Sequence, residues 1–246
     1  MSKFDSWNPF TSAKSDRGQA SKSARTASRD RKAKRKSLPH WRRGHLQRPY
    51  NPPESEAWRA MGEQACIASG AVQPSPFIKA RSSLGGPVPA CGAHRPFVVT
   101  AIDNGRVRFT RAATVRCPMV PALELWTQRI VAPAAIKYLG SPVTRMRVIS
   151  SYACRRIAGS RGKLSEHGRA NAIDIAAFET ADGRVITLKR GWRGRRSEAK
   201  FLRAVHRGAC RYFTTVLGPN YNRAHHDHFH LDLARHGRTG TYRVCR

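Results

Sequence analysis

Acidic residues are scarce in this sequence. Fifteen Asp and Glu stand against 46 Lys and Arg over 246 residues, a formal net charge of +31. That imbalance argues against a cationic partner and for a polyanionic one: nucleic acid, an anionic membrane surface or an anionic cell-wall polymer. Long apolar runs are missing too. No stretch reaches the roughly 18 apolar residues of a membrane-crossing helix, so no transmembrane span is expected. The first residues lack the apolar core of about 7–15 residues that marks a secretory signal. Arg42-Arg43 is a twin-arginine pair, but Gly44-His45-Leu46-Gln47-Arg48 follows it without an apolar run. Internal repeats are absent. So is any C-x-x-C pair, which excludes a zinc ribbon and a thioredoxin-type motif.

What cysteine there is comes as six widely spaced residues: Cys66, Cys91, Cys117, Cys154, Cys210 and Cys245. An even number spread over the folded part predicts disulfides, and with them a periplasmic or otherwise exported protein. The spacing does not choose the pairing. Residues 1–50 hold 14 Lys and Arg against 3 Asp, a net of +11, so the remaining +20 falls on the rest of the chain. The run Arg29-Asp30-Arg31-Lys32-Ala33-Lys34-Arg35-Lys36 cannot bury itself. We read residues 1–54 as a disordered basic arm, either an electrostatic anchor or a solvated tail, and residues 55–246 as a single folded domain.

Order is expected to begin near Pro52, with a helix from Glu54 or Ser55 to about Ala68. Phe97–Ile102 and Arg106–Phe109 flank Asp103-Asn104-Gly105, a hairpin signal because Asn-Gly supplies positive φ. Pro121 to Tyr138 has helical spacing, with Pro133 a kink or break. Strands are expected at Met146–Tyr152, at Ala172–Phe178, at Val185–Leu188 after the Asp182-Gly183 turn, and at Asp227–Ala234. Ser197 is the expected cap of a helix that buries Leu202, Val205 and Ala209. Trp126 and Trp192 read as core or rim. The mixture predicts an α+β fold: one compact domain whose small, mostly antiparallel sheet carries the chemistry.

Two segments carry that chemistry. One is Ser165-Glu166-His167-Gly168-Arg169-Ala170-Asn171-Ala172-Ile173-Asp174. The other is His225-His226-Asp227-His228-Phe229-His230-Leu231-Asp232. Residues two apart on a strand face the same way, so Phe229 and Leu231 turn to the core while His228, His230 and Asp232 look outward. Asp174 is likewise flanked by Ile173 and Ile175. Two imidazoles and a carboxylate are a usual ligand set for catalytic zinc, which keeps a fourth position for water. His40, His45, His94, His206, His226 and His236 have no such setting and read as surface or structural.

The pattern Ser-x-His-x-x-Gly-x-Ala-x-Asp followed by His-x-His resembles the signature of LAS-type zinc peptidases, which include lysostaphin-like enzymes, D-Ala-D-Ala carboxypeptidases and the hedgehog domain. Ala170 stands where that motif usually has glycine. The likeness is closer to bacterial extensin-like C-terminal domain proteins. It is carried by Ser151-Tyr152-Ala153-Cys154-Arg155, Leu164–His167, Ala172–Ile175, Phe213–Pro219 and His228–Leu233. It covers roughly residues 60–246. The resemblance implies His167, Asp174 and His230 as ligands of Zn2+ and His228 as general base or transition-state stabiliser. It gives Arg155 the role of steadying the substrate carbonyl oxygen, with Arg156 the substitute. His225 is a further active-site histidine or a structural one. Ser165 caps the turn or bonds near the ligands. Asp232 holds a histidine N–H or pairs with an arginine.

Three readings follow. The first is a zinc metallopeptidase, carboxypeptidase or endopeptidase, acting on peptidoglycan stem peptides or cross-links. The alternative is a non-catalytic zinc-containing module that grips peptidoglycan or another anionic cell-wall polymer. The third, a specific nucleic-acid binder with structural zinc, lacks finger spacing and any aromatic–basic pattern. A phage lysin released without a signal is a variant of the first. Oligomeric state is not legible.

Overall fold

In the computed structural model the described residues are 49–246, apart from Pro52, Ala158, Gly159 and Arg161. The basic arm expected over residues 1–54 lies outside the described residues up to Arg48, as do His40 and His45. Tyr50, upstream of the expected start of order, is already buried.

The helix expected from Glu54 forms as a 3-10 turn, Glu54–Glu56, running into α1, Ala57–Ala68. A short strand β1, Ile78–Ala80, had no signal in the sequence. The hairpin follows as β2, Phe97–Ile102, and β3, Val107–Val115. At its turn Asp103, Asn104 and Gly105 all take positive φ. The expected helix from Pro121 is α2, Met119–Trp126, then a π turn Thr127–Val131, then α3, Ala132–Leu139. Pro133 does not break it: the helical run continues, because the wider turn, with Ala132 N–H reaching Thr127 O, absorbs the missing donor.

Strands β4, Val143–Ser150, and β5, Ala172–Thr180, are next, followed by β6, Val185–Thr187. Leu188 belongs to a short helix α4, Leu188–Gly191, rather than to β6. Helix α5, Arg196–Ala209, begins one residue before the expected cap: Arg195 is the N-cap and Ser197 lies inside. The chain closes with β7, Thr215–Leu217, β8, Phe229–Asp232, and β9, Val244–Cys245. Strand β8 is shorter than expected, so Asp227 and His228 precede it and Leu233 and Ala234 follow it.

The α+β class holds and the sheet is mostly antiparallel, as expected, but it is not small. Nine strands join in the order β1-β2-β3-β4-β5-β8-β7-β9, with β6 also on β5. The pairs β3–β4 and β7–β9 are parallel. Helices cover one face. Phe178 of β5 meets Phe201 of α5 at 5.3 Å between centroids and Trp126 of α2 at 6.2 Å. Phe229 of β8 packs on Trp192 and on His206 of α5. Trp126 is fully buried and Trp192 nearly so, both in the core as expected. The opposite face leaves Arg108, Arg145 and Arg147 exposed.

All six cysteines are paired: Cys66–Cys117, Cys91–Cys154 and Cys210–Cys245. They enclose 51, 63 and 35 residues of chain. On the chain-entropy account each removes about 4 kcal/mol of unfolded-state freedom. Three such links are compatible with an oxidising, exported setting.

Candidate metal centre

The sheet register builds the site. Asp174 on β5 lies opposite His230 on β8 and opposite Ser150 on β4. Ile173, Ile175, Phe229 and Leu231 are fully buried against the helices. Strand alternation therefore turns Asp174 and His230 to the other face of the sheet.

His167 reaches the same point from a 3-10 turn, Glu166–Arg169. Ser165 caps it, its Oγ accepting from the His167 N–H at 3.3 Å. Gly168 leaves room for a neighbour: a Cβ there would lie 2.9 Å from Leu164 Cδ1, which would have to shift. The turn ends at Ala170, buried and left-handed at φ 51°. That conformation explains why glycine is usual there in the motif. Glycine at 170 would relieve about 1–2 kcal/mol of strain. It would lose about 0.8 kcal/mol of methyl burial and gain unfolded-state freedom. Ala170→Gly is thus expected to shift stability by less than about 1 kcal/mol. Ala170→Val, branched in a filled left-handed site, should cost more than about 2 kcal/mol. Paired thermal melts separate the two; equal melting temperatures would contradict the strain.

A chain of ion pairs fixes this turn to α1. Arg59 grips both carboxylate oxygens of Glu166 at 2.7 Å and reaches Glu56 at 3.0 Å. Arg169 in turn donates to Glu56 and to the Leu164 carbonyl. Beneath it Arg116, fully buried, donates to Glu63, Tyr50 Oη and the carbonyls of Gly92 and Arg169. These residues gave no functional signal in the sequence. Widely separated Arg and Glu acquire meaning only when the fold joins them.

The inner ends of the three side chains form a tight triangle in which both Asp174 oxygens take part. His167 Nε2 lies 3.1 Å from Asp174 Oδ2 and 3.2 Å from His230 Nδ1. His230 Nδ1 lies 3.0 Å from Asp174 Oδ1. The outer nitrogens are engaged. His167 Nδ1 donates to the Ser151 carbonyl at 2.6 Å, and His230 Nε2 donates to Asp232 Oδ2 at 2.8 Å. Because a carbonyl and a carboxylate only accept, each ring's proton is drawn outward and its lone pair inward. Two lone pairs and a carboxylate thus converge, an arrangement that could hold a cation among them. Tetrahedral donors about 2.0–2.2 Å from a metal stand about 3.3–3.5 Å apart, so the triangle fits to within a few tenths of an ångström.

The electrostatics agree. Burial raises the Asp174 pKa, but hydrogen bonds from His167 and His230 outweigh it and hold the carboxyl well below its ordinary value. Burial disfavours a charged His230, yet Asp174 and Asp232 overcome it and lift its pKa to about 9. In the metal-free protein a proton on His230 stands in for the cation.

The remaining expected residues surround this triangle. His228 Nε2 is 3.8 Å from Asp174 Oδ1. Its Nδ1 donates to Asp227 Oδ1 at 2.9 Å, which leaves Nε2 as its free acceptor. Asp227 had escaped notice; an acid next to a site histidine was the available signal. His225 lies over His228 and His230 with centroids 5.3 and 5.9 Å away. Asn222 Oδ1 takes its Nδ1 proton at 2.7 Å. Burial, then the charges of His230 and His228, push its pKa down to about 4, so His225 is neutral at pH 7. Arg155 is exposed and its positive charge also bears on His225. Its carbonyl accepts from Ser165 N–H at 3.0 Å. Arg156 is exposed as well. Asp232 is the partner of His230 and pairs with no arginine among the described residues.

The family model described as the extensin-like protein C-terminus matches residues 64–246. No curated protein and no solved structure matches the chain.

Proposed function

On the premise that this chain belongs to the extensin-like protein C-terminus family, we propose that it is a zinc-dependent peptidase acting on bacterial peptidoglycan. The family description carries no activity, so the reading rests on the site. The observation behind it is the triangle of His167 Nε2, Asp174 and His230 Nδ1, with edges of 3.0–3.2 Å and both imidazole protons directed outward. Its resemblance to the ligand spacing of LAS-type zinc peptidases supports the choice of zinc and of peptide substrate. The large positive charge suits an anionic wall.

Zinc held there would supply a Lewis acid and a water of lowered pKa. The protein's own groups do the rest. Asp232 and the Ser151 carbonyl aim the two ligand rings. His228 accepts a proton at Nε2, and Asp227 fixes the tautomer that makes this atom basic. Neutral His225 adds an uncharged wall beside it without competing for the metal's charge. Arg155, exposed and with a charge that bears on His225, would meet a substrate carbonyl or carboxylate as negative charge develops.

Digestion of purified peptidoglycan tests the proposal. The zinc-loaded protein is expected to release peptide fragments. His228→Ala should keep its zinc and lose turnover by about 10²–10⁴-fold, the usual worth of general base catalysis. Stoichiometric zinc with no cleavage of any peptidoglycan would replace this reading with the wall-binding module.

A further inference from the structure

The helical side of the molecule, away from the site, has a charge pattern that the peptidase reading does not use. Between Lys189 and Arg211 every exposed position except Gly194 and Ser197 is Arg or Lys. Nine cations there face one acid, the half-exposed Glu198. Arg196, Lys200, Arg203 and Arg207 fall at i, i+4, i+7 and i+11 of α5. They form one row about 16 Å long. None of the nine enters an ion pair among the described residues. Like charges this close repel by about 0.2–0.5 kcal/mol per pair, so an anionic partner that neutralises the row relieves that repulsion as well as gaining attraction.

The opposite stripe of α5 says what kind of partner. Phe201, Leu202, Val205 and Ala209 are fully buried in the core, so the helix has no apolar face left to insert into lipid or into a protein groove. The row is convex and is flanked by Lys189, Arg190, Arg193 and Arg195. A broad convex field of cations suits a flat anionic surface rather than a single strand, which is gripped in a groove. Arginine predominates, and its planar fork matches phosphate.

We propose that the outer face of α5, with α4 and the segment between them, docks on an anionic phospholipid surface by electrostatic adsorption. Phe229 packs towards α5 while His230, the next residue, belongs to the metal triangle. Docking this way leaves the site facing away from the bilayer. The inference is independent of the peptidase reading, because it needs no zinc and no turnover.

Sedimentation of the full chain with vesicles tests it, in roughly 0.15 M salt. Vesicles containing phosphatidylglycerol are compared with pure phosphatidylcholine. One variant carries Arg196→Gln, Lys200→Gln, Arg203→Gln and Arg207→Gln. A control removes equal charge from the sheet side: Lys79→Gln, Arg108→Gln, Arg145→Gln and Arg147→Gln. All eight positions are exposed and glutamine is a good helix former, so both variants should fold, which thermal melts check. Each surface cation is worth about fivefold in partitioning, so the α5 variant should lose at least about 100-fold binding to phosphatidylglycerol vesicles. The control should lose less than about tenfold. Equal losses, equal binding to both vesicle types, or an α5 variant that loses only duplex DNA binding would each overturn the proposal.

Discussion

Asp174→Asn is expected to remove zinc from the protein and with it turnover, by at least about 10²–10³-fold. The carboxylate is the only negative charge inside the triangle, and it touches both imidazoles at 3.0–3.1 Å. An amide nearly keeps the shape but discards the charge that offsets a dication. It also presents an N–H where a lone pair is required. The metal-free protein changes as well. His230 is lifted to about 9 largely by Asp174 and Asp232. Losing one of them lowers its pKa, because an opposite charge nearby is what favours the imidazolium. Zinc per chain, turnover and the His230 titration by NMR check the three consequences together. Retained zinc and full activity in Asp174→Asn would remove the basis of the mechanism.

Glu63→Ala is expected to be the most destabilising single change away from the site. Glu63 and Arg116 are both buried, and Glu63 also accepts the His94 and Arg95 backbone N–H groups. Deleting the carboxylate leaves a guanidinium without its counter-ion in the interior. Breaking a buried pair from one side costs about 3–5 kcal/mol. For a domain of this size that is a fall of about 10–15 °C in melting temperature. The double variant Glu63→Ala with Arg116→Met should cost less than Glu63→Ala alone, because it removes both charges instead of stranding one. Thermal melts of the two variants decide; the reverse order would show that Arg116 matters through its three other hydrogen-bond partners rather than its charge.

The candidate site was more legible in the sequence than the sheet was. His167, Asp174, His230 and His228 lie in two short motifs whose spacing survives any error in strand boundaries. Of the two readings open for Asp232, partner of a histidine N–H or of an arginine, the structure has the first. The sheet's extent depended on β1, β7 and β9, each of two or three residues, too short to show alternation. The π turn at Thr127–Val131 was hidden because helical spacing looks the same on both sides of it. Disulfide pairing had no local signal at all. Nor had the Glu166–Arg59–Glu56–Arg169 chain, which holds the His167 turn from residues more than 100 positions earlier in sequence.

The most direct test of the central claim is a titration of zinc into the metal-free protein with proton release followed at several pH values. His230 is held at about 9, so at pH 7 it carries a proton that a metal must displace. Affinity should rise about tenfold per pH unit up to pH 9 and then level, as linkage to one proton requires. The account predicts one zinc per chain and about one proton released at pH 7, both lost in Asp174→Asn. No saturable binding, or binding without proton release that persists in Asp174→Asn, would contradict it.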